Sequence, residues 1–260
     1  MKEKTKTKPI LQAQELSIGY SDKIVAEDIS LKINEAELVA VIGINGSGKS
    51  TLLKTLTGNL KCLSGTISIQ QKNINEISVQ KLSELISIVL TETQFSQNLL
   101  VEELVALGRQ PYTNWLGQLS NKDINAVKQA LQLLEIEDKS KRKCGSLSDG
   151  QLQKVFLARA IAQETPLIFL DEPTTHLDLY HKIFVLKLLK TLSRRTNKSI
   201  VFATHEINLA LQLCDQIILV SNGKVTQKTP EELINSNLLQ ELFPKDLVEF
   251  DAATKNFKVL

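Results

Sequence analysis

Three segments in the first third of the chain alternate apolar and polar residues. They are LQAQELSIGY at 11–20, ISLKI at 29–33 and GTISIQ at 65–70. A period of two predicts half-buried strands that pair in an antiparallel sheet. Between the second and third segments, ELVAVIG at 37–43 is apolar without alternation, and a helical pattern, TLLKTLTG, follows at 51–58. A continuous apolar run of this length predicts a strand that is buried on both faces.

From about residue 93 to 145 the pattern becomes helical. Ile124, Val127, Leu131 and Leu134 recur at spacings of three and four, which predicts an amphipathic helix over 120–136 with these residues on its buried face. Beyond it, apolar runs alternate with helical patterns: LIFLD at 167–171, KIFVLKLLKTL at 182–192, SIVFATH at 199–205, NLALQL at 208–213 and QIILVSNGKV at 216–225. This alternation predicts a mainly parallel sheet with helices on both faces, closed by a hairpin at Asn222-Gly223.

Composition and charge exclude several classes of protein. The 260 residues are 42% apolar and 23% charged, as in an ordinary globular domain, and the formal net charge of +2 gives no electrostatic case for nucleic acid. No apolar run approaches the roughly 18 residues of a membrane span. Three cysteines in no metal-ligand pattern favour a reducing compartment. We expect residues 1–9 to be a flexible tail, because they alternate lysine with polar residues.

The segment GINGSGKS at 43–50 has the spacing of a phosphate-binding loop, and it lies between a predicted strand and a predicted helix. Gly43, Gly46 and Gly48 let backbone amides approach phosphate oxygens. Lys49 would reach the β- and γ-phosphates, and the Ser50 hydroxyl would ligate Mg²⁺. These residue types in this context predict a nucleoside triphosphate site.

Two acids and a histidine follow later apolar runs. Asp171 ends the run LIFLD and is predicted to be the second Mg²⁺ ligand, because parallel strands deliver ligand-binding groups at their carboxyl ends. Glu172 comes next and could polarise a water for attack on the γ-phosphate. His205 ends SIVFATH at the same predicted edge. The alternative is that the acids are solvated strand ends and the histidine a packing residue.

The stretch GSLSDGQLQK at 145–154 has the pattern of a helix start. Ser148 and Gln151 form the S-x-x-Q pattern of a capping box, and Gly150 would leave room for an anion beside the amides of the first turn. The residues alone leave two interpretations open, an ordinary capped helix or a second phosphate contact.

Together these motifs resemble those of the ATP-binding subunits of ATP-binding cassette (ABC) transporters, over about residues 10–252. LSDGQ at 147–151 resembles the family's signature LSGGQ, HLD at 176–178 its D-loop and THE at 204–206 its switch histidine. The resemblance implies an α/β P-loop NTPase fold with a RecA-like, mainly parallel core sheet, an N-terminal antiparallel β-subdomain and an inserted α-helical subdomain at about 93–160. The ABC ATPase domain would span 10–253, with 254–260 as its C-terminal end.

The resemblance also implies how the site works. Two copies would pack head to tail as a homodimer, with Mg²⁺ at Ser50 and Asp171 and the D-loop aspartate at Asp178. Glu172 would be the catalytic base, His205 the γ-phosphate sensor and Tyr20 the aromatic stacked on adenine. The ATP-binding loop would comprise Gly43, Ile44, Asn45, Gly46, Ser47, Gly48, Lys49, Ser50 and Thr51. The signature residues of the other copy would close over the γ-phosphate: Leu147, Ser148, Asp149, Gly150 and Gln151.

The sequence departs from the family pattern at two positions. The family has a glutamine after the strand that here reads LISIVL, where it contacts Mg²⁺ and the attacking water; Thr91, Glu92 and Gln94 are the three candidates for that role. Asp149 stands in place of a signature glycine. A carboxylate beside a phosphate would repel it, so we expect the Asp149 side chain to turn outward, where it still complements the helix N-terminus.

Two further stretches narrow the subfamily. EELVALGRQPY at 102–112 and GKVTQKTPEELINSNLLQELF at 223–243 resemble segments of ATPases that serve importers of iron-siderophore, haem and cobalamin complexes. The implied partners are membrane permease subunits, docked through residues 90–120, and indirectly a substrate-binding protein, which would place the chain on the cytoplasmic face of the membrane. No nucleic acid partner is expected. The alternatives are a soluble ABC ATPase acting on ribosomes or DNA, and the ATPase of an exporter.

Overall fold

The computed structural model describes residues 9–21, 23–90, 95–175, 177–243, 247–252, 254 and 256–260. Apart from Pro9, the predicted tail lies outside these residues. The strands are β1 (Leu11–Tyr20), β2 (Lys23–Ile33), β3 (Leu38–Ile42), β4 (Ser64–Ile69), β5 (Lys72–Asn73), β6 (Ile86–Val89), β7 (Leu167–Asp171), β8 (Ser199–Thr204), β9 (Gln216–Ser221), β10 (Lys224–Lys228), β11 (Val248–Asp251) and β12 (Asn256–Val259). The helices are α1 (Lys49–Leu56), α2 (Val79–Leu85), α3 (Val101–Ala106), α4 (Asn121–Leu133), α5 (Asp149–Ala162), α6 (Leu179–Thr196), α7 (Ile207–Leu213) and α8 (Pro230–Ile234).

The central sheet has the strand order β10-β9-β3-β8-β7-β6. Its strands are parallel except β10, which pairs antiparallel with β9 through the turn at Asn222-Gly223. Both turn residues have positive φ, 49° and 74°, as the predicted hairpin requires. The predicted mainly parallel sheet is therefore confirmed.

Strand β3 shows why an apolar run without alternation belongs at the centre. Leu38, Ala40 and Ile42 pack into the hydrophobic layer formed with the later helices, whereas Val39 and Val41 face the layer formed with the N-terminal sheet. All five side chains are fully buried. A strand covered on both faces needs apolar residues at every position, which is the pattern in the sequence.

The predicted N-terminal antiparallel sheet is also present, with the order β2-β1-β4-β5. Leu11 pairs with both Ile33 and Ile69, so β1 lies between its two long neighbours. The inward residues of these strands join α1 in the second hydrophobic layer. This arrangement places the phosphate loop between the two sheets.

Helices α3, α4 and α5 pack on one another in the middle of the chain. One detail of the predicted amphipathic helix is wrong. Ile124 is 52% exposed, and the buried stripe of α4 instead begins at Asp123, which is 3% exposed. Asp123 turns inward because it pairs with Arg109, which is itself buried. The helix is also shorter than 120–136, since it ends at Leu133.

Strands β11 and β12 form a two-stranded sheet that spans the boundary predicted between residues 253 and 254. Phe250 and Phe257 contact each other edge to face in it, with ring centroids 5.0 Å apart. Within the described part of the chain, no helix is long and apolar enough to span a membrane.

Candidate functional site

The carboxyl ends of three neighbouring parallel strands carry the predicted catalytic residues. Strand β3 leads into the phosphate loop, β7 ends at Asp171, and β8 is followed directly by His205. Because these strands are adjacent in the order β3-β8-β7, the three groups meet at one edge of the sheet.

The phosphate loop has a backbone that only glycine accommodates at its end. Gly48, the residue before α1, has a φ of +108°, and a Cβ atom there would lie 2.4 Å from Cγ1 of Val25. Gly46 has a φ of +78°, and among the described atoms none lies within 4 Å of where its Cβ would be. The loop is therefore closed on its β2 side and open at Gly46, where an anion can approach the amides.

The ammonium group of Lys49 lies inside the loop. Its Nζ donates hydrogen bonds to the carbonyl oxygens of Gly43, at 2.9 Å, and Ile44, at 3.1 Å. Burial lowers the pKa of Lys49, opposed by the charges of Glu172 and Asp171. The hydroxyl of Ser47 is buried and has no hydrogen-bond partner among the described residues. A buried cation and an unsatisfied hydroxyl in a glycine cradle fit a phosphate group.

Ser50 and Asp171 meet across the sheet edge. The Ser50 hydroxyl donates to Oδ1 of Asp171 at 3.3 Å. Burial raises the pKa of Asp171, and the hydrogen bond from Ser50 opposes that effect. One carboxylate and one hydroxyl suit Mg²⁺, which takes few protein ligands and completes its shell with phosphate oxygens and water. No cluster of three or more His, Cys, Asp or Glu that could hold a metal by itself is found among the described residues.

Glu172 leaves strand β7 in a left-handed backbone conformation, with a φ of +49°. Its N–H donates to the carbonyl of Ala203 on β8 at 3.1 Å, which holds this conformation. The Thr175 hydroxyl donates to Oε2 of Glu172 at 2.9 Å. This left-handed turn follows directly after Asp171, and the hydrogen bond from Thr175 holds the Glu172 carboxylate in place.

His205 lies between two carboxylates. Its Nδ1 is 3.8 Å from Oε2 of Glu172, and its Nε2 is 3.5 Å from Oε1 of Glu206. Glu206 is also paired with the ammonium group of Lys182, on α6. With 46% of its side chain exposed, His205 can reach a ligand at the sheet edge.

The predicted capping box at the start of α5 is confirmed. The Gln151 N–H donates to the Ser148 hydroxyl at 3.4 Å, and the Ser148 N–H donates to Oε1 of Gln151 at 3.3 Å. Asp149 is exposed. It borders a cleft with Asp171 and Glu172, whereas Ser148 and Gly150 border a different cleft of about 250 Å³ with His181. Asp149 and its two neighbours therefore border different clefts, and the outward direction of the carboxylate stays a prediction.

Asp178 caps α6 by accepting the His181 N–H at 2.8 Å. Tyr20 ends β1 with 50% of its surface exposed. Thr91, Glu92, Gln94 and His176 lie outside the described residues, so the choice among the three candidates for the glutamine position remains a prediction.

Comparison with known proteins places the chain in a family. A model described as ABC transporter matches residues 26–175. The petrobactin import ATP-binding protein of Bacillus subtilis is 36% identical over 235 residues, which cover 90% of this chain and 92% of that protein. The iron(3+)-hydroxamate import ATP-binding protein of the same organism is 33% identical over 237 residues, covering 91% and 88%. The chain belongs to the ABC transporter family.

A solved ABC structure has the same fold. cbiO1 from Clostridium perfringens, part of the ABC transporter complex cbiONQ, superposes with a TM-score of 0.79 at 31% identity and covers 89% of this chain and 93% of that chain. The predicted P-loop NTPase fold is confirmed, and the chain is an ABC ATPase that binds ATP.

Several residues at the site of this ABC ATPase carry no motif of their own. Thr175 holds Glu172, and Lys182 holds Glu206 beside His205. Thr175 comes only four positions after the run LIFLD at 167–171, so its place just beyond the acid pair is a signal that the sequence does contain. Lys182 gives no such signal, because its role depends on how α6 packs beside β8.

Proposed function

We propose that this chain is the ATP-hydrolysing subunit of an ABC importer, acting as a homodimer with Mg²⁺ and delivering energy to a membrane permease. The observation that supports the homodimer is the separation, within one chain, of the phosphate loop from the signature residues Ser148 and Gly150. Of the described residues that border the cleft beside Ser148 and Gly150, none belongs to the phosphate loop. On the side of Ser148 and Gly150, the signature segment thus has no described residue of its own phosphate loop beside it. A second copy would supply the loop.

In the proposed site each residue has a separate task. The amides around Gly46 and the Lys49 ammonium hold the phosphates, since both present positive charge to an anion that enters the loop. Ser50 and Asp171 would hold Mg²⁺, which would neutralise charge that develops on the phosphate oxygens. Tyr20 would stack on the adenine, at the exposed end of β1.

Glu172 is the proposed general base. Its carboxylate accepts a proton from the attacking water while the hydrogen bond from Thr175 keeps it oriented. His205 donates a hydrogen bond to the γ-phosphate, and Glu172 and Glu206 restrict its ring. From the partner, Ser148 and the amide of Gly150 bind the same phosphate. Asp178 would contact the partner subunit beside this phosphate site.

The proposed cargo class follows from the relatives. Two proteins that match about nine-tenths of this chain are named as importers of petrobactin and of iron(3+)-hydroxamate. We infer that this ATPase serves an importer of the same iron-chelate class, with a substrate-binding protein outside the membrane. The chain would then lie on the cytoplasmic face of the permease. Neither an exporter nor a ribosome- or DNA-directed ATPase receives comparable support.

The permease is proposed to dock on residues 90–120, as part of the helical insert at about 93–160. Large apolar side chains are exposed on the described part of this segment and of its C-terminal border: Leu90, Leu107, Tyr112, Trp115, Leu116, Leu119 and Ile124. Trp115 is 91% exposed. Apolar side chains in this number on one segment are typical of a protein contact.

Mixed dimers test the homodimer. Two differently tagged copies are co-expressed in a Glu172→Gln background, so that bound ATP is not consumed, and one copy also carries Lys49→Ala. Ser148→Arg on the Lys49→Ala copy faces the intact loop of the partner, so we expect the Kd for ATP to rise at least about tenfold. On the other copy Ser148→Arg faces the disabled loop and should change little. Equal effects in the two arrangements would contradict the dimer.

Proteoliposomes test the cargo class. The ATPase is reconstituted with the permease and binding protein encoded beside it, and uptake of a ferric hydroxamate is compared with that of haem and cobalamin. We expect ATP-dependent uptake of the ferric hydroxamate. Uptake of haem or cobalamin alone would overturn the iron-siderophore class, and ATP-driven export would overturn import.

A further inference from the structure

The ring of His181 lies between two segments that the proposed dimer presents to the partner. Its Nδ1 is 2.9 Å from Oδ1 of Asp178, and its backbone N–H donates to the same oxygen. A carboxylate can only accept, so Nδ1 carries the proton in this contact. The aspartate therefore caps α6 and fixes the orientation of the ring at the same time.

The opposite edge of the ring faces the start of α5. A Cβ atom at Gly150 would lie 3.2 Å from Cδ2 of His181 and 3.7 Å from Nε2. The shorter distance is tighter than ordinary van der Waals contact, so a side chain at position 150 would require the ring to move by a few tenths of an ångström. Gly150 is helical and does not have a positive φ, so its own backbone does not demand glycine.

We propose that His181 is a positioning residue, which sets the distance between Asp178 and the first turn of α5 and thereby places Ser148 and Gly150 against ATP bound by the partner subunit. The inference rests on the proposed function, because it assumes that the signature segment acts on the other copy's nucleotide. His181 would then belong to the proposed ATP site although it lies outside the phosphate-loop, strand-end and signature motifs.

The surroundings of His181 support a role at the surface rather than in the core. Half of its side chain is exposed, and its ring is perpendicular to the exposed Tyr180 ring, with centroids 5.3 Å apart. The two hydrogen bonds from His181 also lower the pKa of Asp178, so the carboxylate stays ionised and keeps accepting from the ring. Without the ring, the first turn of α5 would lose this contact with α6 at Gly150. A shift of about 1 Å in such a contact can cost about a hundredfold in rate.

The mixed dimers described above test this role. His181→Ala is placed either on the copy that carries Lys49→Ala or on the copy with the intact loop, and the Kd for ATP at the single intact loop is measured. We expect the Kd to rise about tenfold in the first arrangement, because the altered signature segment then faces the only working loop. In the second arrangement we expect no change.

Ser148→Arg in the same two arrangements separates the possible failures. If the effect of Ser148→Arg on the Kd depends on the arrangement and the effect of His181→Ala does not, the proposed role of His181 is wrong and the homodimer model stands. If neither depends on it, the dimer itself is wrong. Tyr180→Ala is the matched control, since Tyr180 lies on the same turn and is 72% exposed. If Tyr180→Ala had an arrangement-dependent effect on the Kd as large as that of His181→Ala, a specific role for the histidine would be contradicted.

A double-mutant cycle tests the contact with Gly150. Alanine is a better helix former than glycine, so a loss of ATPase activity in Gly150→Ala would not come from helix propensity. We expect the losses of Gly150→Ala and His181→Ala to be less than additive in the double variant, because the new methyl group no longer meets the ring. Strictly additive losses, with unchanged melting temperatures, would show that the two residues act independently and would overturn the proposal.

Discussion

The Ser50 hydroxyl donates a hydrogen bond to Oδ1 of Asp171 at 3.3 Å, although 121 positions separate the two residues in the sequence. Ser50 lies in the first turn of α1 and Asp171 at the end of β7, so the contact exists only because the strands that precede these two residues end at one edge of the sheet. A hydroxyl and a carboxylate at this distance are the pair that we propose for Mg²⁺.

Asp171→Asn is expected to weaken Mg²⁺ activation of the ATPase. An amide oxygen carries no net charge, so the Mg²⁺ concentration at half-maximal rate should rise by at least about tenfold. A Mg²⁺ titration of ATP hydrolysis measures it. The matched control is Asp215→Asn: Asp215 accepts the Leu38 N–H at the opposite edge of the same sheet, so the midpoint should not move. An unchanged midpoint for Asp171→Asn would remove Asp171 from the metal site.

Glu172→Gln is expected to lower kcat by about 10² to 10⁴ while ATP still binds, because the amide cannot accept a proton. An ATP-dependent dimer should then persist in gel filtration. Thr175→Val should lower kcat less, since it frees the carboxylate from its hydrogen bond without removing it. Thr175→Ser keeps the hydroxyl and serves as the control. A Glu172→Gln variant that hydrolyses ATP at the original rate would show that another group is the base.

Arg109→Met is expected to destabilise the fold through Asp123. The Arg109 Nε donates to Oδ1 of Asp123 at 2.8 Å, and its Nη1 donates to the Ala162 carbonyl and to Glu164. Both members of the Arg109–Asp123 pair are buried, so loss of the cation leaves an uncompensated carboxylate. We expect the free energy of unfolding in urea to fall by about 3–5 kcal/mol. Glu84→Gln, which breaks the exposed pair with Lys81, should leave it nearly unchanged.

The same pair predicts acid sensitivity. Burial alone would raise the pKa of Asp123, but hydrogen bonds from Ser120 and Arg109 outweigh it and hold the pKa below its ordinary value. A carboxyl with a lowered pKa in the folded state stabilises the fold above its unfolded pKa of about 3.9, and that contribution is lost as the pH falls through the folded pKa. Unfolding measured from pH 6 to 3 should therefore depend less on pH in Asp123→Asn. Equal slopes would contradict a lowered pKa of Asp123 in the folded state.

The three cysteines should differ in reactivity. Cys144 and Cys214 are buried, and burial raises the pKa of both thiols, whereas Cys62 is partly exposed. Because the thiolate is the reactive form, a disulfide reagent at neutral pH should modify one thiol quickly in the folded protein and all three in urea. Cys62→Ser should abolish the fast phase. Fast reaction of a second thiol would show that one of the buried sites opens.

The local pattern was sufficient to predict the strands, the phosphate loop and the acid pair. A continuous apolar run followed by glycines or acids places those residues at the carboxyl edge of a parallel sheet, and this edge is the same for every strand. The capping box of α5 was predictable for the same reason, since its hydrogen bonds join residues three apart. The roles of Tyr20, Thr91, Glu92 and Gln94 were not decided by position alone.

Tertiary packing decided which side chains face which partners. The periodicity of α4 favours Ile124 as a buried residue, yet the helix is oriented so that Asp123 contacts Arg109. A buried guanidinium requires a carboxylate partner, and the pattern of apolar residues does not indicate that requirement. In the same way, the sequence presents Gly150 only as space for an anion, and the packing of α6 is what places His181 next to it. The sequence by itself determined which chemistry the chain carries and at which strand ends. Only the packing of α6 determined which side chain lies next to Gly150, since contacts between residues far apart in the chain leave no periodic trace in the sequence.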